Sequence, residues 1–443
     1  MNSFLPTGLT AAALLSSLAL TTAPGVARAQ SDQLNPPAPA MVFNESDGEA
    51  SDDEDQDGVA NPGIRWSGYG QFDYQRFDFF ENAQDVTPET RSRVDLRRLV
   101  IQPRAYLSPT VSFHGEIEFE HGGTGSAVEY EPEEAGEFES EIEQGGEVIV
   151  ENAYLQFSDS PGWRWRIGEM TIPFGMVNSH HRPGDHYTID RSLAESSLFP
   201  GSWHDLGVSL QATQARTRYT IMLSRALDSS GFSGYGFVSG GASQRLESRE
   251  ANDLALTARF EYLPAPGMLL GTAVHYGDSS GNRARANLDT NATVTLAEVH
   301  FRWETARWKL RSQYTVGHLQ NADRVTQANF NTFNASELGV SRTPIGSRAN
   351  AFFVEAGYNI APLFLDSLKR LDLFARFDSY DTHASTAGSI TRNERYDRRA
   401  MTVGANYWPN SDVVFKGEFS RRKNGGTTAN RQDYFGFSLG FNF

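Results

Sequence analysis

Cysteine is absent from this chain, which excludes a disulfide scaffold, a thiolate metal site and a lipidated N-terminal cysteine. Long apolar runs are scarce as well. After the N-terminal stretch no segment approaches the roughly 18 apolar residues that a membrane helix needs, so any membrane crossing falls to strands. Lysine occurs four times among 39 basic residues. The acids, by contrast, come in blocks: Glu45–Asp57 holds eight and Glu129–Glu151 ten, with no Lys or Arg in either, so the formal charge of −16 leaves −16 + 18 = +2 for the remainder. Blocks of one sign are solvated chain. No basic stripe interleaved with aromatics is left to bind nucleic acid.

The N-terminal stretch has no Lys or Arg ahead of its apolar core, Leu9 to Leu20, but that core leads to Ala27-Arg28-Ala29, an A-x-A cleavage site. Residues 1–29 read as a secretory signal peptide. Residues 30–63, with Pro-Pro-Ala-Pro at 36–39 and the first acidic block, read as a disordered periplasmic linker. Within it Asp53, Asp55 and Asp57 fit the first half of a D-x-D-x-D-G calcium loop. An EF-hand would place Glu where Ile64 stands. An acidic linker is the favoured reading, a weak calcium site the alternative, and no other cofactor is expected.

From residue 64 onward the chain alternates. In Tyr434–Phe443 every odd position is apolar (Phe435, Phe437, Leu439, Phe441, Phe443) and every even one is Tyr, Gly, Ser or Asn. Val111, Phe113, Ile117 and Phe119 alternate with Ser112, His114, Glu116 and Glu118 in the same way, a period of two that reads as β-strand. Such runs begin near Trp66, Arg91, Thr110, Val148, Trp163, Asp205, Arg216, Asp253, Met268, Val294, Arg307, Asn350, Leu371, Ala400, Asp412 and Tyr434: sixteen, an even number. Short Pro-marked turns alternate with long polar loops. Charged residues at every second position do not suit a soluble sandwich core, and the opposite face is too apolar for water. A closed barrel in lipid satisfies both. The expected fold is an all-β transmembrane antiparallel barrel over 64–443, with Trp66, Tyr69, Tyr154, Trp163, Trp165, Trp303, Trp308, Tyr407 and Trp408 as an interfacial girdle. A soluble two-sheet protein is the competing reading.

One stretch breaks the alternation: Ile172–Asp205, which carries His180, His181, Arg182, Asp185, His186, Asp190 and Arg191. It is too long for a turn and too charged for a buried connection. Strand counting puts it between strands five and six, as the third long loop, and the expectation is that it folds into the pore as a constriction. Parity points Arg91, Arg93, Arg97, Arg164, Arg166, Arg216, Arg218, Arg259 and Arg311 inward, an arginine-rich anion pathway. The parity change at Arg97-Arg98 predicts a bulge. Glu116, Glu118, Glu120, Asp95, Glu298, Glu304 and Glu355 also face in and offset the arginines. The loop histidines predict conductance that changes between pH 5 and 8; as a set they read as a surface cluster rather than a metal site.

Three stretches carry a resemblance. The run from Arg91 to Val100, the segment Ile167-Gly-Glu-Met-Thr-Ile-Pro-Phe-Gly175, and Ile189-Asp-Arg-Ser192 with Asp205-Leu-Gly-Val208 resemble the phosphate-selective porin O and P family of trimeric, sixteen-stranded outer-membrane channels, and Phe443 matches its terminal aromatic. The resemblance implies a homotrimer in outer-membrane lipid, passing small inorganic or organic ions. It departs at the third loop, which has no lysine where the family has a lysine cluster. An enzymatic barrel and an adhesive or structural barrel are the alternatives; no nucleophile motif accompanies the lumen histidines His114, His275 and His300.

Overall fold

The computed structural model describes residues 63–123, 146–242, 248–331, 342–364 and 369–443. The expected signal peptide, nearly all of the linker, the calcium-like Asp53, Asp55 and Asp57, and residues 124–145 of the second acidic block lie outside the described residues. Sixteen antiparallel strands close into one barrel. They are β1 (Ile64–Phe79), β2 (Glu89–Ser108), β3 (Val111–Glu120), β4 (Glu147–Ser160), β5 (Trp163–Thr171), β6 (His204–Gln214), β7 (Thr217–Arg225), β8 (Leu254–Tyr262), β9 (Met268–Asp278), β10 (Thr293–Glu304), β11 (Trp308–Leu319), β12 (Arg348–Asn359), β13 (Arg370–Ser385), β14 (Asp397–Trp408), β15 (Val413–Asn424) and β16 (Arg431–Asn442). The largest errors in the expected starts, Ala400 for Asp397 and Tyr434 for Arg431, are three residues. Gly68 and Phe443 exchange backbone hydrogen bonds of 2.8 and 2.9 Å, so the terminal residue takes part in the β1–β16 seam.

Period-two chemistry makes these strands. Outward positions are apolar and accessible, as at Ile221, Val299 and Phe437, each about half exposed, and in lipid that surface needs no protein partner. Six of the expected girdle aromatics point outward: Trp66, Trp163, Trp165, Trp303, Trp308 and Tyr407. The other three do not. Tyr69 is fully buried with its hydroxyl 3.3 Å from Glu116, Tyr154 stacks on His114, and Trp408 meets the inward-facing Tyr187; all three sit on the inner face.

Bulges fall where the parity breaks. Gln71 pairs with Arg98 and Phe72 with Leu96, leaving Arg97 as the extra residue, so Arg97 and Arg98 both turn inward. A second bulge, not anticipated, lies in β4: Glu116 pairs with Asn152 and Ile117 with Val150, which makes Glu151 the extra residue. The second acidic block overlaps the strand expected from Val148. Its last members, Glu147 and Glu151, belong to the wall.

A further departure is an apolar core inside the barrel. Phe232, Phe237 and Val238 from the β7–β8 loop and Ala322 and Val325 from the helix α3 (Ala322–Asn329) pack with Leu296, Ala349, Ala351 and Phe353 of the inner wall. On that side of the lumen these loops pack against the inner wall like a protein interior. Numbered in chain order, α1 (Met176–Ser179) and α2 (Leu193–Ser196) lie in the β5–β6 connection, and α4 (Ala361–Phe364) forms a helical turn between β12 and β13.

Candidate functional site

The β5–β6 connection, residues 172–203, is tied off at its base. Asn178 Nδ2 donates to the carbonyls of Ile172 (3.0 Å) and Trp203 (3.2 Å), and its Oδ1 accepts Trp203 N–H at 2.6 Å. Ile172, Phe174, Val177, Phe199 and Trp203 form an apolar knot above that tie, with the Phe174 and Phe199 rings 4.9 Å apart. Gly175 has φ +82, and a Cβ there would stand 2.4 Å from Glu195 Oε1. Only glycine fits. Glu195 of α2 accepts the N–H groups of Val177 (3.1 Å) and Asn178 (2.8 Å), joining the two short helices. Burial is the main reason its carboxyl is pushed up to about 7.

From that knot the loop crosses to the wall and is gripped by inward-facing side chains, which read its backbone. Arg259 of β8 donates to Gly175 O (2.8 Å) and Gln313 of β11 accepts Met176 N–H (2.7 Å). Arg311 donates to Asp185 O. Lys416 of β15 donates to the carbonyls of His186 (3.0 Å) and Thr188 (2.8 Å), Asn406 of β14 to Tyr187 O (2.8 Å), and Arg98 to His181 O (2.5 Å). Acids take the N–H groups: Glu418 accepts from Ile189 (2.8 Å), and Asp378 accepts the Ser192 hydroxyl (2.7 Å). Glycines on the inner wall form recesses. A Cβ at Gly357 would be 2.2 Å from Tyr187 Cζ, at Gly436 2.7 Å from Ile189 Cδ1, and at Gly440 2.4 Å from Pro183 Cβ.

The residues expected in a constriction belong to this segment, and several of them have specific partners. Asp190 is clasped by Arg97 (2.8 Å) and Arg422 (3.1 Å), and those guanidiniums hold its carboxyl down at about 2 despite burial. Arg182 reaches Gln102 (3.0 Å), and Asp185 accepts Arg182 N–H (3.0 Å). The histidines are not a surface cluster. His180 is turned back onto Met176 O (3.1 Å), His181 faces β3 and β4, and both ring nitrogens of the buried His186 lack a hydrogen-bond partner. Burial holds His180 at about 3 and His186 well below the usual histidine range. Neither changes charge between pH 5 and 8, so His180 and His186 do not supply the expected histidine titration.

The wall arginines are placed unequally. Arg97, Arg259 and Arg311 serve the loop, while Arg93 donates to Gln75 (2.7 Å) and Arg166 to Gln156 (2.9 Å). Arg91 lies at the long-loop rim over the Phe79 ring. Arg216, expected on a strand, sits in the β6–β7 turn and is exposed. What parity could not rank is accessibility. Among inward strand positions the partly or fully exposed basic residues are Arg65, Arg91, Arg93, Arg97, Arg104, Arg164, Arg166, Arg218, Arg302, Lys309, Arg370 and Arg422, against five acids, Glu89, Asp95, Glu120, Glu147 and Glu304. Of the acids expected to offset them, Glu116, Glu118, Glu298 and Glu355 are buried, while Asp95, Glu120 and Glu304 are partly exposed.

The family model for phosphate-selective porin O and P matches residues 65–443. A relative from Aquifex aeolicus, an uncharacterized protein, is 24% identical over 364 residues, covering 81% of this chain and 76% of that one. Among solved structures, the anion-selective porin from Comamonas acidovorans superposes with a TM-score of 0.52 at 10% identity, over 86% of this chain and 99% of that chain. The outer membrane channel DcaP of Acinetobacter baumannii gives 0.51 at 14%, over 86% and 97%. At these identities the structural likeness speaks to fold alone. The closed barrel with its apolar outer face and the family match together place the protein in the bacterial outer membrane as a porin channel. This chain belongs to the phosphate-selective porin O and P family.

Proposed function

We propose that this porin is a passive diffusion channel for small hydrophilic solutes with a mild preference for anions, phosphate among them. The observation that carries the preference is the accessibility of charge: basic residues dominate the partly exposed inner wall, and most inward acids are buried under the loop. Arginine stays charged at any relevant pH and holds oxyanions with paired donors, and rings of such charge favour anions. The long-loop end is read as the outer side and residues 172–203 as the constriction. The channel works as a homotrimer, the assembly the family resemblance implies.

Reversal potentials in a tenfold KCl gradient test this reading. The expected sign is that of a chloride-preferring pore, and Arg164→Gln with Arg166→Gln moves it toward zero; a cation-preferring potential sinks the proposal. Added phosphate that reduces chloride current at micromolar to millimolar levels supports a phosphate site, and unheated electrophoresis reports the trimer.

A further inference from the structure

Where the loop meets β3 and β4, His181 faces two buried carboxylates. Its Nε2 lies 3.8 Å from Glu116 Oε1 and 3.8 Å from Glu151 Oε2, and the three donor atoms all lie within 4.8 Å of one another. Its Nδ1 is 3.1 Å from Asn178 O, so the ring proton goes to that carbonyl and Nε2 turns its lone pair toward the acids, the usual arrangement of a ligating histidine. Two donors 3.8 Å apart subtend about 130° at a centre with bonds of about 2.1 Å, wider than the tetrahedral angle that four-coordinate zinc takes.

Two independent features say this is a built site. Glu118 is 0% exposed, and neither of its carboxylate oxygens has a hydrogen-bond partner. Arg98 approaches it only to 4.0 Å, and Glu151, Arg98, Arg191 and His181 are the groups acting on it. Two carboxylates meeting in a dry interior need a proton or a cation between them. The β4 bulge, for its part, inserts Glu151 as an extra inward residue where the site needs it; bulges re-aim side chains in this way. Glu116 is already oriented by Asn152 (2.5 Å) and Gln102 (3.1 Å), as second-shell partners orient metal ligands.

We propose that Glu116, Glu151 and His181, with Glu118 beside them, bind one divalent transition cation that fastens the constriction loop to the β3–β4 wall. An imidazole with carboxylates suits zinc, cobalt or nickel better than calcium or magnesium. The cation adds two positive charges to the lumen and removes one route by which the loop fluctuates. This inference does not rest on the anion reading, since it is read by equilibrium binding.

The test uses the full detergent-solubilised protein, stripped with EDTA and titrated with Zn2+ and Co2+ alone. One Zn2+ per protomer is expected, with a cobalt visible spectrum showing nitrogen–oxygen ligation. His181→Ala weakens binding by about a hundredfold, and Glu118→Gln by about tenfold, the scale of outer-shell losses. Bound Zn2+ reduces open-channel noise, and EDTA restores it. Stoichiometric binding that survives His181→Ala places the metal elsewhere and overturns the proposal. So does the absence of saturable binding up to millimolar Zn2+, which leaves a shared proton between the carboxylates. Unheated electrophoresis confirms that each variant is a folded barrel before titration.

Discussion

Raising the pH through neutrality should loosen the β5–β6 loop, and Glu195 sets the size of the effect. Its carboxyl is 4% exposed and accepts two backbone N–H groups of α1, while burial moves it from 4.5 to about 7. A group whose pKa is raised in the packed state contributes its stability in full below about pH 4.5. That contribution is lost as the pH rises through about 7. A shift of about 2.5 units is worth about 3 kcal/mol, or roughly a hundredfold in the population of loop-released molecules. Glu298 and His300 of β10 act on the same carboxyl, so Glu195→Gln is the necessary control. His180 and His186 are held neutral, and Asp190 ionised, across the window. Hydrogen exchange read by mass spectrometry on peptides from 172–203 measures the opening. After correction for intrinsic rates, protection should fall by about a hundredfold between pH 4.5 and 8 in the natural protein and by clearly less in Glu195→Gln, where Glu418 and Lys416 still hold the loop backbone. Protection that is constant within about threefold in the natural protein, or an undiminished slope in the variant, refutes the reasoning.

Asp190→Asn removes the partner shared by Arg97 and Arg422; the chloride-to-potassium permeability ratio should rise about two- to fivefold in 0.1 M salt and much less in 1 M, where charge is screened within about 3 Å. An unchanged ratio at low salt contradicts it. Gly357→Val puts side-chain atoms where Tyr187 now lies, breaking its 2.6 Å hydrogen bond to the buried Asp372 at a cost of about 1–3 kcal/mol. Single-channel conductance should increase while the barrel keeps its heat-modifiable mobility, and conductance equal to the natural protein's excludes the recess argument.

Strand number, closure, the Arg97 bulge and the identity of the interrupting stretch were legible in the residue order, because a strand between lipid and lumen must alternate with a period of two, and any break in that period is visible. Arg93, Arg164, Arg166 and Arg259 point inward for the same local reason. Which of them meets water was not legible. That depends on where residues 172–203 and the β7–β8 and β11–β12 loops fill the lumen, and a loop's path is set by distant partners: Lys416 and Asn406 on its carbonyls, Glu418 on its amides, Gly357 and Gly440 beneath its side chains. Tyr69, Tyr154 and Trp408 show the same limit, since an aromatic near a strand end serves the lipid interface or the interior depending on a side the composition does not state. Glu151 and His181 lie thirty residues apart and in unlike contexts. Only the closed barrel, with one strand bulged and one loop folded inward, brings them to opposite sides of a single dry gap.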